Sequence, residues 1–485
     1  MLLGELLTKI EYIECLNFCE CEIMGVTERS ESVKDGFVFV CVKGNVYDGN
    51  EYYKEARALG AIALVTNDKE LFSSEENVII CKNPRKCEAE ISKLLYGENI
   101  DKLKIIGITG TKGKTTTAKI LSECICHLGL KCVSIGTLGL EYYEGENRVL
   151  LSGKSENTTP NAPFIYKALS DAYRDGARAA VIEVSSQALT SYRVFGIPFT
   201  VCIFTNFSED HIGGLEHSSI DDYLGAKRTL FSNYGCKICV VNSDDESAEF
   251  ISRGMEHIIK VGNKSEEFRV SILFSDESRN EFVLNGNELC LSLGGEFNAY
   301  NAALAVVTAS LVFCRDISEF SEVLKRISVL GRYELYKLKD KSVIIDFAHN
   351  KESFRSVLTS VKKNAKGRVI AVFGSVGDRS FKRRGELGEI ADSLADFAVI
   401  TSDNPGEEPP ENICNDICSA FKDSSKVKII TDREKAIRYA LSVAKPNDTV
   451  LLLGKGHETF QLIGKEKIPF SEREVIESLG AFRVF

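Results

Sequence analysis

The chain reads as an α/β protein of three domains: a small N-terminal α/β domain, a central domain on a mainly parallel sheet, and a C-terminal doubly wound domain. Three observations predict this. Its 485 residues exceed what one hydrophobic core supports, at roughly 100–200 residues per domain. Short apolar runs of strand length alternate with helix-length segments along the chain. At 104–128 an apolar run passes through a Gly/Thr/Lys turn into a helical pattern, the context that a phosphate-binding loop requires.

Residues 1–98 form the first domain. Within it 36–42 reads as a strand, 52–59 as a helix and 61–66 as a strand. Lys82-Asn83-Pro84 leads to a helix at 88–96, and 97–102 reads as a linker. The second domain spans 99–328. Its strands fall at 104–108, 132–135, 179–183, 201–205 and 238–242, with helices between, including one at 116–128. That alternation implies parallel strands with helices on both faces. Residues 272–293 read as a hairpin region turning at Asn285-Gly286-Asn287, and 296–312 as an Ala-rich helix. The third domain, 329–485, has strands at 343–347, 369–373, 398–401, 427–430 and 449–453. This is a second doubly wound pattern, Rossmann-like, and such sheets bind ligands at the carboxyl ends of their strands. No solenoid repeat or low-complexity tract interrupts it.

Composition narrows the function class. Hydrophobic residues make up 44%, ordinary for a globular protein. A net charge of −10 provides no basic field to recruit nucleic acid or a membrane surface. No apolar run is long enough to span a bilayer, and Met1-Leu2-Leu3-Gly4-Glu5 lacks a basic leader, so a cytoplasmic location is expected. The sixteen cysteines are then reduced thiols. Cys15, Cys19 and Cys21 have no histidine or CxxC partner, and Cys414 with Cys418 supplies only two ligands, so neither group reads as a zinc site.

Polar clusters sit at strand ends. Gly110-Thr111-Lys112-Gly113-Lys114-Thr115 is a P-loop, whose glycines let backbone N–H groups curl around phosphate oxygens. Lys114 would reach the β- and γ-phosphates, and Thr115 would ligate Mg²⁺. The general spacing wants glycine at 108, where this chain has Ile108, so the loop is a variant. Glu183, before Val184-Ser185-Ser186, could hold Mg²⁺ beside the loop. His211, after Asp210, is a candidate metal- or phosphate-site group. Lys227 lies inside a helix otherwise suited to burial, either snorkelling outward or held near metal. In the last domain Asp346 to Asn350, Gly377-Asp378-Arg379, Asp403-Asn404-Pro405-Gly406 and Gly454-Lys455-Gly456-His457-Glu458 each close a strand. Four such ends describe the rim of a cleft.

These motifs, together with Asn157-Thr158-Thr159-Pro160, Thr205-Asn206, Asn298-Ala299-Tyr300-Asn301 and Gly331-Arg332, resemble the Mur ligase family over essentially the whole chain. The Asp-Asn-Pro and Gly-Lys-Gly-His-Glu elements are similar to the branch that extends UDP-N-acetylmuramoyl-L-alanyl-D-glutamate by one amino acid. The resemblance implies ATP-dependent amide-bond formation through an acyl-phosphate in peptidoglycan precursor synthesis, with two Mg²⁺ ions. Its partners would be the UDP-N-acetylmuramoyl dipeptide and a free amino acid, with no nucleic acid or membrane insertion, and a monomer is expected. It implies nucleotide contacts from Gly110, Thr111, Lys112, Gly113, Lys114, Thr115, Thr116, Asn298, Arg332 and Asp346. Thr115, Glu183 and His211 match metal-side positions, Lys114 the catalytic lysine, and Lys227 the lysine carbamylated in the family. Ser30, Asn45, Thr158, Thr159, Ser185, Ser191 and Arg193 match sugar-peptide contacts. Arg384, Asp403, Asn404, Gly454 and Glu458 match amino-acid contacts, with Arg384 toward an α-carboxylate.

Three departures stand out. The usual Asp-Ser-Arg of the uridine region reads Arg29-Ser30-Glu31. The loop after Asp210-His211 runs about two residues longer to Lys227, within what a loop absorbs. Members that add meso-diaminopimelate carry arginine where this chain has Gly406, so a bidentate clamp on a second carboxylate is missing. The expected acceptor is therefore a non-diaminopimelate amino acid, L-lysine first. The alternatives are a paralogue acting on another acceptor and a non-ligase P-loop nucleotide-binding protein.

Overall fold

The computed structural model describes residues 1–44, 47–145, 147–152, 157–208, 217–377 and 381–484. The chain divides into two compact units. The first holds Met1–Phe207 and continues to Lys260; the second holds Val261–Phe485.

The first unit opens with a five-stranded sheet. Gly25–Thr27, Phe37–Val40, Ala61–Thr66 and Val78–Ile80 run parallel, and Glu14–Leu16 closes one edge antiparallel. Side chains alternate between the faces of a strand. Val38, Val40, Ala63, Val65 and Ile79 therefore pack with Leu3 and Leu6, while Phe39, Leu64, Val78 and Ile80 pack with Phe72. The helix expected at 88–96 begins earlier, as Pro84–Tyr96. Asn83 explains this: its side chain accepts the Lys86 N–H, and Pro84 sits in the first turn, where no amide partner is needed.

Five parallel strands form the centre of the same unit, in the order Ile238–Asn242, Phe199–Phe204, Lys104–Thr109, Ala179–Glu183 and Cys132–Gly136. They are buried nearly throughout, as parallel strands covered on both faces are. The sheet is mixed rather than wholly parallel. Gly139–Glu144 and Asn147–Ser152 add an antiparallel hairpin beyond Cys132–Gly136, which the sequence pattern did not separate.

In the second unit the expected hairpin is a three-stranded meander, Phe268–Ser275, Asn280–Leu284 and Asn287–Leu291. Asn285 and Gly286, with φ of 48° and 85°, make the two-residue left-handed turn that tight hairpins favour. The buried helix Glu296–Phe313 follows. The last sheet has five parallel strands, Val427–Ile429, Phe397–Ile400, Val369–Phe373, Thr449–Leu453 and Lys341–Asp346. Glu334–Leu338 and Phe482–Arg483 extend it antiparallel. Among the described residues no helix is long and apolar enough to cross a membrane, and the sixteen cysteines are free thiols.

Candidate active site

The phosphate loop joins the strand Lys104–Thr109 to the helix Lys114–His127. Gly110 has a φ of 149°, and a Cβ there would fall 1.9 Å from Thr205 Oγ1. Only glycine lets the loop pass this close to the neighbouring strand end. That strand end grips the loop in return. Asn206 Oδ1 accepts the Lys112 N–H at 2.9 Å, its Nδ2 donates to Lys112 O at 3.0 Å, and its own carbonyl accepts the Thr111 N–H at 2.8 Å. Thr205 Oγ1 adds a bond to Lys112 O at 2.6 Å. Lys114 folds over the loop, donating to Gly110 O at 2.7 Å and Thr111 O at 3.1 Å. Thr116 is buried in the first helical turn.

Glu183, at the end of the adjacent strand, is 2% exposed, so its oxygens must find partners within the fold. Oε2 accepts from the Thr115 hydroxyl at 2.9 Å and the Thr137 hydroxyl at 3.1 Å, and Oε1 accepts the Thr137 N–H at 3.0 Å. Gly136 makes room, since a Cβ there would lie 2.2 Å from Glu183 Oε1. Thr137 was missed from the sequence, although it follows the strand Cys132–Gly136 as other site residues follow theirs.

Lys227 projects from the helix Ile220–Ser232 and is 1% exposed, so it does not snorkel. Its Nζ donates to Gly110 O at 3.2 Å and sits 4.2 Å from the centre of the Tyr223 ring. Tyr223 in turn reaches Thr111 Oγ1 at 3.4 Å. His217, which sequence reasoning passed over, is buried with Nε2 2.9 Å from Ser186 Oγ and Nδ1 3.4 Å from Asp222 Oδ2. His211 and Asp210 lie outside the described residues, as do Asn45, Asp378 and Arg379.

A second cluster lies beside Glu183. Thr159 Oγ1 donates to Glu183 O at 2.8 Å and accepts the Ser185 N–H at 3.0 Å. Thr158 Oγ1 is 3.3 Å from Thr137 Oγ1. Ser185 caps the helix Ser186–Thr190 through the Ala188 N–H, and Ser191 closes it. Arg193 donates to Thr159 O at 2.9 Å, and burial pulls its guanidinium below its ordinary range. Ser30 is separate from this group, with its hydroxyl donating to Glu55 at 3.1 Å.

In the second unit, Asp346 receives the Tyr333 and Ala348 N–H groups, each at 2.8 Å. Gly331, with φ of 69°, packs so close to the Gly456–His457 backbone that a Cβ would lie 2.1 Å from His457 N. Arg332 stacks on Phe347, 4.6 Å from the ring centre. Asn298 is buried and bonds Gly294 O and Asn301.

Asp403 and Asn404 follow the strand Phe397–Ile400 and meet the loop after Thr449–Leu453. Lys455, 0% exposed, donates to Asn404 Oδ1 at 2.8 Å and Glu458 Oε2 at 2.6 Å. Asn404 Nδ2 donates to the same Glu458 oxygen at 3.0 Å. Gly454 leaves space for Asp403, whose Oδ2 would lie 2.6 Å from a Cβ. Burial pushes the Asp403 carboxyl up, partly offset by Arg433 and Lys455. Arg384 is fully buried, and both its terminal nitrogens meet Glu408 at 2.6 Å, with Asp416 at 2.8 Å from Nη1. Its guanidinium is thus engaged by carboxylates of this chain. Gly406 has a φ of 61° and exchanges backbone bonds with Leu462 O at 3.2 Å and the Gly464 N–H at 2.7 Å.

Comparison with known proteins places this geometry. Residues 108–309 match the Mur ligase middle domain, and 331–456 the Mur ligase, glutamate ligase domain. The chain is 36% identical to a UDP-N-acetylmuramoyl-L-alanyl-D-glutamate--2,6-diaminopimelate ligase of Aquifex aeolicus, over 96% of this chain and 95% of that one. It is 35% identical to diaminopimelate ligase 2 of Clostridium acetobutylicum, over 99% and 100%. A solved structure of an enzyme of the same name superposes with a TM-score of 0.65 at 24% identity, over 94% of each chain. The P-loop, the strand-end carboxylates and near full-length similarity converge: this chain belongs to the Mur ligase family of ATP-dependent ligases.

Proposed function

We propose that the protein adds one amino acid to UDP-N-acetylmuramoyl-L-alanyl-D-glutamate, and that this amino acid is not diaminopimelate but L-lysine or another. The acceptor dipeptide follows from the relatives' names and from the cluster of Thr158, Thr159, Ser185 and Arg193 beside the P-loop. The observation that carries ligation is the convergence of Thr115, Thr137 and Lys227 on the loop and on Glu183.

In this reading Lys114 exchanges its bonds to Gly110 O and Thr111 O for phosphate oxygens. The terminal carboxylate of the dipeptide attacks the γ-phosphorus and ADP leaves. The amine of the incoming amino acid then attacks the acyl carbon, loses a proton, and expels phosphate. Magnesium, when bound, neutralises the phosphoryl oxygens and the attacking carboxylate, which otherwise repel. The Thr115 hydroxyl and the Glu183 carboxylate fit it, since both are hard oxygen donors and already face one another. Lys227 carries a carbamate in this reading, which replaces a buried cation near the metal side by an anion.

The amino-acid end rests on Gly406. It has no side chain to clamp a second carboxylate, and its backbone is committed to Leu462 and Gly464. Asp403 and Glu458 remain as partners for an ammonium group. The test is ATP-dependent phosphate release with the UDP-muramoyl dipeptide and a panel of amino acids, meso-diaminopimelate included. Release with lysine or another monocarboxylic amino acid, and a product heavier by that residue, supports the reading. Release with meso-diaminopimelate alone overturns its amino-acid part, and silence across the panel overturns the whole.

A further inference from the structure

We propose that Glu472 and Arg473, neighbours at the start of the helix Glu472–Ser478, are positioning residues for two different substrates: Glu472 for the amino acid and Arg473 for the nucleotide. The inference rests on the assignment of residues 403 and 454 to the amino acid and of 332 and 346 to ATP.

Glu472 acts through Arg433. Both side chains are buried, at 1% and 0% exposure. Glu472 Oε1 accepts from Arg433 Nε at 3.0 Å and Nη2 at 2.8 Å. The guanidinium then donates to Ser402 O at 3.0 Å and Leu453 O at 2.8 Å. These carbonyls immediately precede Asp403 and Gly454. Their strands, Phe397–Ile400 and Thr449–Leu453, are not neighbours; Val369–Phe373 runs between them. One planar fork therefore ties two separate strand ends, which the sheet's own hydrogen bonds do not join.

Arg473 acts through Glu334. Its Nε donates to Glu334 Oε2 at 2.9 Å, and Nη2 donates to Gly456 O at 3.1 Å. The same Glu334 oxygen accepts the Gly331 N–H at 2.8 Å. Arg483, from the final strand, holds the other oxygen at 2.7 Å. The turn so anchored carries Arg332, and its next residue, Tyr333, donates its N–H to Asp346. Tyr333 has a φ of 48°, a left-handed backbone that an aromatic residue adopts only under constraint. A buried ion pair stabilises no better than apolar side chains of similar volume, so stability alone does not account for Arg433–Glu472, with a second, part-buried pair, Arg473–Glu334, beside it.

The test is the split between the two Michaelis constants in phosphate release, ATP varied at saturating amino acid and the reverse. Arg433→Met with Glu472→Leu removes both charges while keeping volume, and Arg473→Lys keeps charge but loses the fork. The double variant is expected to raise KM for the amino acid about 10- to 100-fold with KM for ATP unchanged, the scale of a small misplacement. Arg473→Lys is expected to raise KM for ATP alone, by a similar factor. An active wild type with both constants unmoved in both variants, or moving together in each, overturns the positioning roles while leaving the ligase reading intact. A silent wild type overturns the ligase reading and this inference with it.

Discussion

The Thr115 hydroxyl donates to Glu183 Oε2 at 2.9 Å, tying the first turn of the P-loop helix to a strand end 68 residues further along the chain. Glu183→Gln keeps the shape of this contact but removes the charge. Activity is expected to fall about 100-fold or more, from the loss of metal-side charge stabilisation. The requirement for Mg²⁺ should rise in parallel. Magnesium titration of phosphate release reads both, and an unchanged Mg²⁺ dependence would remove Glu183 from the metal site.

Lys227→Ala should abolish ligation while leaving ATP binding largely intact, because Lys227 meets the P-loop at a backbone carbonyl, Gly110 O, rather than at the N–H groups that cradle phosphate. Calorimetric ATP titration alongside the ligation assay separates the two. Added bicarbonate should not restore the variant, as it has no amine to carbamylate. A fully active Lys227→Ala enzyme would dispose of the carbamate.

Gly406→Arg places an L-residue at a φ of 61°, which costs roughly 1–2 kcal/mol. Denaturant unfolding should show that loss. In exchange the variant is expected to gain phosphate release with meso-diaminopimelate relative to the wild type. Unaltered amino-acid preference would show that position 406 does not set specificity.

Asp403 is expected to make the protein less stable as pH rises. Its folded-state carboxyl is pushed above the ordinary 3.8 by burial, against the pull of Arg433 and Lys455 and with the push of Glu458 and Glu472. The folded state therefore holds the proton more tightly than the unfolded chain, and stability declines as pH climbs from 3.8 through the folded value. Asp403→Asn has no such penalty. Its melting temperature should exceed the wild type's at neutral pH, and the advantage should shrink on acidification below the folded value. A gap that widens toward acid would contradict this.

Much of the fold was legible because its strands are apolar and its strand ends polar. Ala61–Thr66, Ala179–Glu183, Ile238–Asn242, Val369–Phe373 and Thr449–Leu453 stand where the pattern put them. Edge elements were harder to read. Gly139–Glu144 alternates buried with partly exposed positions, and Asn147–Ser152, at the sheet margin, leaves Val149, Leu150 and Leu151 exposed, so neither reads as a buried parallel strand. Candidate residues with local motifs, such as Lys114 and Glu183, could be singled out from the sequence, and the fold brings both to the P-loop. Those defined by long-range partners could not: Thr137, Arg433 and Glu472 have no flanking signature, and Arg384's engagement by Glu408 depends on a fold that brings residues 24 apart together.

The grip of Asn206 on Lys112 reaches beyond the loop's shape. A carboxamide facing both the N–H and the C=O of one residue imitates a neighbouring strand, so the P-loop is ordered before any phosphate arrives. Nucleotide then docks without freezing those torsions, and its calorimetric entropy carries little loss from loop ordering. Encounter, rather than loop rearrangement, is left to set the pace of association at the phosphate end.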